Sequence, residues 1–144
     1  MSSDPRTQRL IQAFENLSPD SLPALLALYA EQATFTDPFN EVAGRAGIER
    51  IFSHMFATVE QPRFQVLQAI TQGEQAFLTW DFHFRRQPSG LPMCIHGATH
   101  LRFDGLGLVT LHRDYWDAAQ ELYAKLPLLG GLMRWLQRRL RAPV

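Results

Sequence analysis

The sequence predicts a single α+β domain in which helices come first and a curved antiparallel sheet follows. The apolar residues repeat about every 3.6 residues before Pro62 and about every 2 residues after it, which indicates helices and then strands. The segments between the later β-prone runs are short and rich in turn-forming residues, so consecutive strands should pair antiparallel as a meander. A chain of 144 residues has the length of one domain with one core.

At two places near the start of the chain a helix-capping residue is followed by proline, and together they predict a helical hairpin. Asp4-Pro5 combines an N-cap residue with proline at the first helical position, and the apolar residues of segment 10–17 then share one helical face. Ser18-Pro19-Asp20 repeats the signal. Leucines at helical spacing follow it, and they predict a second short helix that continues to Tyr29.

One short strand and a third helix complete the helical part. The β-prone run Ala33 to Asp37 is closed by Pro38, and segment 40–47 has no regular period and is predicted to be a loop. Apolar residues from Ile48 to Val59 then mark an amphipathic helix that Pro62 stops.

Period-2 patterns predict the four strands of the meander, after which the chain becomes helical from Asp117 onward. The predicted strands are Arg63 to Gln72, Gln75 to Arg86, Met93 to Phe103 and Leu108 to Trp116.

Composition excludes several classes of protein. The net charge is zero, so the chain lacks the basic field that drives generic nucleic-acid binding. The mean hydropathy of −0.16 is that of a globular chain and excludes a bundle of membrane helices. Segment 118–144 carries five Lys/Arg against one Glu and is therefore positive, while the rest of the chain is negative. The N-terminus has neither a basic region nor an apolar region of a secretory signal, which predicts a cytoplasmic protein.

The order of elements resembles the nuclear transport factor 2-like superfamily, and within it the SnoaL-like and ketosteroid-isomerase-like groups. The resemblance covers residues 5–117 and is carried by segments 29–38, 44–48 and 99–105. It implies a sheet that wraps around the N-terminal helices as a cone with an apolar pocket at its open end. Residues 1–117 would form this cone domain, and residues 118–144 a C-terminal helical extension packed on or near it.

The resemblance also identifies site residues. Asp37 matches the general base of ketosteroid isomerase, whereas Phe14 and Thr99 stand where that enzyme has its two oxyanion donors. Phenylalanine donates no hydrogen bond and threonine is a weak neutral donor, so ketosteroid isomerase activity is not expected. Phe14, Phe56 and Thr99 are expected to line the pocket. From the residues alone, Asp37 is either a pocket base or an Asx-turn residue that ends its strand.

The second strand of the meander has one polar and one apolar face. Thr79, Asp81 and His83 share the first, and Trp80, Phe82 and Phe84 share the second. If this strand is aligned to ketosteroid isomerase without gaps, Asp81 and His83 would enter the pocket as ligand-binding residues. The aromatic face, with Trp80 and Phe82, would then form a homodimer interface. A slip of one residue reverses this assignment, and a solvated polar face is the ordinary alternative.

The last strand carries the densest group of functional side chains. Alternation puts His112, Asp114 and Trp116 on one face, which the resemblance assigns to the pocket. A carboxylate can orient an imidazole for proton transfer, so His112 and Asp114 are predicted to be an acid/base pair and Trp116 a ligand-binding wall. The alternative is that Asp114 pairs with Arg102 or Arg113 and Asp117 caps a helix.

No metal and no cofactor are expected. The five histidines show no helical pair and no Cys/His cluster with ligand spacing, although Asp81, His83 and His112 could converge across strands. Cys94 has no partner nearby in sequence and is interpreted as an inert core thiol.

The C-terminal segment is a basic amphipathic helix. Its leucines and Trp135 alternate with arginines between Leu128 and Arg141. The apolar stripe would cover the domain or the mouth of the cone, lie on an anionic membrane surface, or dock on a partner protein.

These patterns lead to two functional hypotheses. The first is a cofactor-independent isomerase, cyclase or dehydratase that transfers protons to and from a small apolar molecule with a polar handle, with Asp37, His112 and Asp114 as its catalytic residues. The second is a non-catalytic module that binds a lipid-like or polyketide-like ligand, in some cases at a membrane surface.

Overall fold

The structure, a computed structural model, describes residues 2–121 and 127–142. The helices are α1 (Pro5–Glu15), α2 (Leu22–Leu26), α3 (Arg45–Thr58), α4 (Ala118–Glu121) and α5 (Pro127–Leu140). The strands are β1 (Tyr29–Thr36), β2 (Glu41–Ala43), β3 (Val59–Gln72), β4 (Gln75–Arg86), β5 (Pro92–Phe103) and β6 (Val109–Tyr115). The predicted α+β class is confirmed, with the helices first, the long strands after them and a C-terminal helix.

One six-stranded sheet has the order β2-β1-β6-β5-β4-β3. Strands β3 to β6 form the predicted antiparallel meander, while β1 joins it by pairing parallel to β6. Phe14 of α1 and Phe52 of α3 pack against the same side of the sheet, which we call the concave side. The opposite side is called the convex side.

Helix α1 forms as predicted. The Asp4 carboxylate accepts a hydrogen bond from the backbone N–H of Arg6, which pairs one of the free donors at the helix start. Pro5 occupies the first helical position, where a missing N–H costs nothing. Leu10, Ile11 and Phe14 are buried, so the predicted apolar face of α1 packs into the core.

The prediction that the second helix continues to Tyr29 is wrong. Helix α2 ends at Leu26, and Tyr29 is the first residue of β1. The Leu28 carbonyl accepts a hydrogen bond from the Val109 N–H, and Tyr29 pairs with Val109 in the parallel ladder. Pairing with the last strand therefore overrides the local helical period.

The chain between β1 and β3 is also more regular than predicted. Residues of the expected loop form β2, which pairs with β1 as a hairpin. Helix α3 ends at Thr58, and β3 begins at once and contains Pro62. The ladder shifts register between Glu60 and Arg63, with Gln61 at φ +51°, so an irregularity on this edge strand accommodates a proline that cannot donate a hydrogen bond.

Gly97 leaves space for the indole of Trp80 on the neighbouring strand. The two residues are register partners in β4 and β5. A Cβ at position 97 would lie 2.5 Å from the Trp80 ring, closer than van der Waals contact allows. The absence of a side chain at Gly97 therefore permits Trp80 to lie flat across β5.

The C-terminal segment contains two helices. Asp117 caps α4 by accepting from the N–H groups of Ala119 and Gln120, which is the capping role considered for it. Helix α5 runs through Gly130 and Gly131 without interruption. The predicted extension also includes residues 122–126 and 143–144 and the side chain of Leu128, which lie outside the described residues. Within residues 2–121 and 127–142, no helix has the length and apolar content needed to cross a membrane.

We predict that Gly97→Ala destabilises the domain by about 1–3 kcal/mol, because the added methyl group forces the buried indole of Trp80 off its position. Urea unfolding measures the effect. Gly105→Ala is the matched control, since a Cβ at that position meets nothing within 4 Å. Equal unfolding midpoints for the two variants would contradict the close packing of Trp80 against Gly97.

Candidate functional site

A small cavity of about 30 Å³ lies between the concave side of the sheet and helices α1 and α3. Its lining residues are Phe14, Phe52, Phe64, Val66, Leu78, Trp80, Thr99, His112 and Asp114. Most of this wall is apolar, and the polar side chains come from the paired strands β5 and β6. The volume is enough for one or two water-sized groups, so a larger ligand could insert only a small part here.

A wider cleft of about 360 Å³, which we call the mouth, shares part of its wall with this inner cavity. Phe52, Phe64, Trp80 and Asp114 line both. Most of the other residues of the mouth are aromatic or aliphatic, and they come from α3, β4 and β5 and from the ends of β1, β3 and β6. Together the two spaces could hold an apolar small molecule, with Asp114 at the junction between them.

Two hydrogen bonds lead from the indole of Trp80 to Asp114. Trp80 Nε1–H donates to Thr99 Oγ1 at 2.7 Å, and the Thr99 hydroxyl donates to Asp114 Oδ1 at 2.6 Å. Trp80 and Thr99 are both buried. Since an indole N–H can only donate, Thr99 must use its own proton on the carboxylate, which fixes the direction of this branch.

A second branch reaches the same oxygen from Tyr29. His112 Nε2 lies 2.8 Å from Asp114 Oδ1, and the Tyr29 hydroxyl lies 2.8 Å from His112 Nδ1. The imidazole is 3% exposed and stacks on Phe35 with ring centroids 4.2 Å apart. Both ring nitrogens are therefore occupied by protein groups inside the core.

The pattern of donors implies the protonation states. A neutral His112 that donates from Nε2 to an ionised Asp114 can accept the Tyr29 proton at Nδ1, and every group then has a complementary partner. Burial, with the negative charge of Asp114 adding to it, raises the pKa of Tyr29 well above its ordinary value. The Tyr29 hydroxyl thus keeps its proton for donation to His112.

The second carboxylate oxygen of Asp114 is the atom of this arrangement that is open to a bound molecule. In the described part of the chain, Oδ1 receives both hydrogen bonds, whereas Oδ2 receives none. Asp114 is 17% exposed and lines both the inner cavity and the mouth. Chemically, such an oxygen can accept a proton from a bound molecule while the other oxygen stays fixed.

Asp37 lies at the rim of the mouth and forms an Asx turn. Its Oδ1 accepts from the N–H groups of Phe39 and Asn40 at 2.8 and 2.7 Å, and the Asn40 side chain contacts both carboxylate oxygens. The turn was one of the two roles considered for this residue. Phe39 also packs edge-on against Trp116, 5.5 Å between ring centroids, so the Asp37 turn helps to shape the entrance.

Asp81 and His83 do not enter the pocket, which corrects the alignment without gaps. Trp80, Phe82 and Phe84 of β4 face the concave side and line the mouth. Asp81 and His83 alternate with them, so they lie on the convex side, where Asp81 contacts His96 and His83 contacts Gln65. The inward position of the aromatic residues also removes the interface on which the homodimer was predicted.

The other predicted site residues have different surroundings. Phe14 and Thr99 line the inner cavity, and Trp116 lines the mouth. Phe56 packs against the core beside them and lines neither space. Asp114 bonds to His112 and Thr99 and not to the arginines considered as alternatives.

Two members of the hydrogen-bonded group were not predicted from the sequence. Tyr29 was assigned to a helix, and Trp80 was assigned to the outer face under the alignment without gaps. One feature of the sequence could have placed Trp80 on the inner face. Trp80 and Gly97 are register partners in the predicted antiparallel ladder, and a glycine opposite a large aromatic residue leaves space for its ring.

Comparisons with solved structures find the same fold in proteins of low sequence identity. A protein of ketosteroid isomerase-like fold from Catenulispora acidiphila DSM 44928, in complex with trimethylamine, is 20% identical with a TM-score of 0.74, covering 88% of this chain and 96% of that one. TerC co-crystallised with polyporic acid is 14% identical with a TM-score of 0.71, covering 81% and 95%. A protein from Shewanella putrefaciens CN-32 described provisionally as a SnoaL-like polyketide cyclase is 18% identical with a TM-score of 0.70, covering 84% and 95%.

Sequence comparison gives the family directly. A search of curated proteins finds no significant match. The family model of the SnoaL-like domain matches residues 8–112, from α1 to the His112 that holds Asp114. Since this match spans most of the chain and the solved structures share the cone-shaped fold, the chain belongs to the SnoaL-like domain family.

Proposed function

We propose that this protein is a cofactor-independent isomerase, cyclase or dehydratase in which Asp114 is the general base. The observation that carries the proposal is the Asp114 carboxylate, with one oxygen fixed by His112 and Thr99 and the other open to an apolar cavity. General acid/base chemistry needs such a group within hydrogen-bond reach of the reacting atom.

Proton transfer would use the open oxygen directly. Asp114 Oδ2 would take a proton from a C–H or O–H group that enters the inner cavity, and it would return that proton to another atom of the same molecule. His112 would act through Asp114 as a positioning residue, because both of its ring nitrogens are engaged by Asp114 and Tyr29. This assigns to Asp114 the role that the sequence gave to Asp37.

The same hydrogen bonds restrict the class of substrate. His112 Nε2–H and the Thr99 hydroxyl are used on Asp114 Oδ1, and Trp80 Nε1–H is used on Thr99, so the donors of the network are already engaged within the protein. A developing enolate oxygen would therefore receive little stabilisation from them, unlike in an enzyme with an oxyanion hole. We infer that the substrate has an already acidic proton, such as that of a 1,3-dicarbonyl or a hydroxyquinone. The solved relatives described as a polyketide cyclase and as bound to polyporic acid support this class.

Asp114→Asn is expected to lower the rate of proton abstraction by about 10²–10⁴-fold, the usual contribution of a general base. A direct probe is 5-nitrobenzisoxazole, whose ring C–H proton is removed while its N–O bond breaks to give a coloured cyanonitrophenolate. Binding of the probe should persist, since asparagine keeps the shape of aspartate and its carbonyl oxygen can still accept from His112 and Thr99.

Asp37→Asn is the matched control for this experiment. Its carboxylate is also at the mouth but is engaged in the Asx turn, so turnover should remain at the wild-type rate. Loss of turnover in Asp37→Asn with retention in Asp114→Asn would make Asp37 the base. Binding of the probe without turnover by the wild-type protein would favour the non-catalytic ligand-binding module.

Tyr29→Phe is expected to lower the free energy of unfolding by about 1–3 kcal/mol, because the buried Nδ1 of His112 loses its partner. Tyr115→Phe, whose ring is 51% exposed, is the control and should change stability by less than about 0.5 kcal/mol. Urea unfolding compares the two variants.

The stability of the two tyrosine variants should also depend differently on pH. The pKa of Tyr29 is raised by burial, so above the ordinary titration range of tyrosine the unfolded state loses a proton that the folded state keeps. Stability then falls as pH rises. This alkaline loss should be shallower in Tyr29→Phe than in Tyr115→Phe, and identical slopes would argue against a buried, protonated Tyr29.

We also propose that helix α5 attaches the protein to anionic membrane surfaces. Its apolar residues are exposed: Leu129, Leu132, Trp135, Leu136 and Leu140. Arg138 and Arg139 occupy its last turn, and Arg139 lies over the Trp135 ring. An exposed apolar stripe beside arginines favours an interfacial helix over one that packs on the domain.

The double variant Leu132→Glu/Leu136→Glu should lower binding to phosphatidylglycerol vesicles by more than about tenfold, since burying each leucine is worth about 1.5–3 kcal/mol. Vesicle sedimentation measures this, with phosphatidylcholine vesicles as the uncharged comparison. Leu106→Glu, at an 86% exposed position in the β5–β6 turn, is the control. Equal binding by the wild-type protein and the double variant would refute the membrane role of α5.

A further inference from the structure

The convex side of the sheet brings together four side chains that can bind metal. Asp81 pairs with His96 across the β4–β5 ladder, and His83 pairs with Cys94. The two residues of each strand are two positions apart, so all four side chains project from the same side. Sequence spacing along a single strand did not predict this group, because it depends on the register between two strands.

We propose that Asp81, His83 and Cys94 form a zinc-binding site on the convex side, with His96 orienting Asp81. One potential ligand atom from each of the three residues lies within 4.8 Å of the others. In a tetrahedral zinc site with metal–ligand bonds of about 2.0–2.3 Å, ligand atoms are roughly 3.3–3.8 Å apart. The three ligand atoms would have to approach one another by at most about 1–1.5 Å, a movement that side-chain rotation would supply.

Neighbouring side chains support the proposed ligands. His96 Nδ1 lies 2.7 Å from Asp81 Oδ1, and a carboxylate held in this way can present its other oxygen to a cation. Gln65 Oε1 lies 3.3 Å from His83 Nε2 and gives the imidazole a polar neighbour on β3. Such outer contacts orient metal ligands and are part of most protein metal sites.

The donor set selects the class of metal. Thiolate and imidazole ligands suit zinc and other borderline-soft divalent ions, whereas magnesium and calcium prefer oxygen ligands alone. Three protein ligands leave a fourth tetrahedral position for water or another small ligand. Cys94 is half-buried on the convex side, so the interpretation of this residue as a core thiol is wrong.

This site is separate from the proposed base. Trp80, Phe82 and Phe84 alternate with Asp81 and His83 and line the mouth from the concave side. A bound ion would link β4 to β5 from outside and would contact no residue of the inner cavity. Binding therefore has its own readout, and loss of zinc binding is distinguishable from loss of proton transfer at Asp114.

To test this, metal is first removed from the protein with a chelator. The protein is then titrated with Zn²⁺ in competition with a zinc-sensitive dye, and a second sample is titrated with Co²⁺, whose binding is measured by absorption. We expect one ion per chain and a sulfur-to-cobalt charge-transfer band. Cys94→Ser should abolish that band, and His83→Gln should abolish stoichiometric zinc binding. His96→Gln should weaken zinc binding by about 10–100-fold, as loss of an outer contact usually does.

His100→Gln is the matched control, because His100 lies on the same side of β5 but pairs with Gln75 and stacks on Phe77. It should bind zinc as the wild-type protein does. Circular dichroism and urea unfolding in the presence of chelator confirm that each variant is folded. The proposal is overturned if the stripped wild-type protein takes up no zinc, or if folded Cys94→Ser and His83→Gln variants bind it as tightly as the wild-type protein.

Discussion

Polar side chains at the bottom of an apolar cone require complementary partners, because an unpaired buried donor or acceptor costs about 1–3 kcal/mol. Here that requirement is met by two branches of hydrogen bonds that end on one oxygen of Asp114. In the described part of the chain, every buried side-chain nitrogen and oxygen has a partner. The carboxylate is the only member of the two branches that can accept from both, so its ionised state completes the pairing of the others.

This constraint ties the site to the geometry of the sheet. Tyr29, Trp80, Thr99 and Asp114 come from four different strands. His112 lies between two of them and contacts both Tyr29 and Asp114. The stacking of His112 on Phe35 leaves the imidazole little freedom to turn. The position of the Asp114 carboxylate is thus set by backbone register rather than by flexible loops, which is the arrangement that the proposed proton transfer requires.

Much of the fold follows from local patterns in the sequence. The bounds of β4, Gln75–Arg86, match the prediction. Alternation correctly turns His112, Asp114 and Trp116 toward the two spaces of the site, although Trp116 lies just beyond the end of β6. Alternation cannot say which side of β4 faces inward, because a two-residue period describes both sides equally well. That choice depends on Gly97, whose missing side chain accepts the indole of Trp80 from the next strand. Tyr29 and Cys94 were misassigned for a similar reason, since their surroundings are created by pairing between strands.

The parallel pairing of β1 with β6 has a consequence for how the protein is made. Tyr29 and His112 are 83 residues apart in sequence, and Val109 donates to the Leu28 carbonyl at the start of the same ladder. The N-terminal half of the chain leaves the ribosome before β6 has been synthesised, so β1 cannot form its parallel pairing until late in synthesis. Closing so long a loop is entropically costly, and contacts of this range slow folding. The hydrogen-bonded group around Asp114 is therefore among the last features to assemble, and a nascent chain that lacks β6 contains neither His112 nor Asp114.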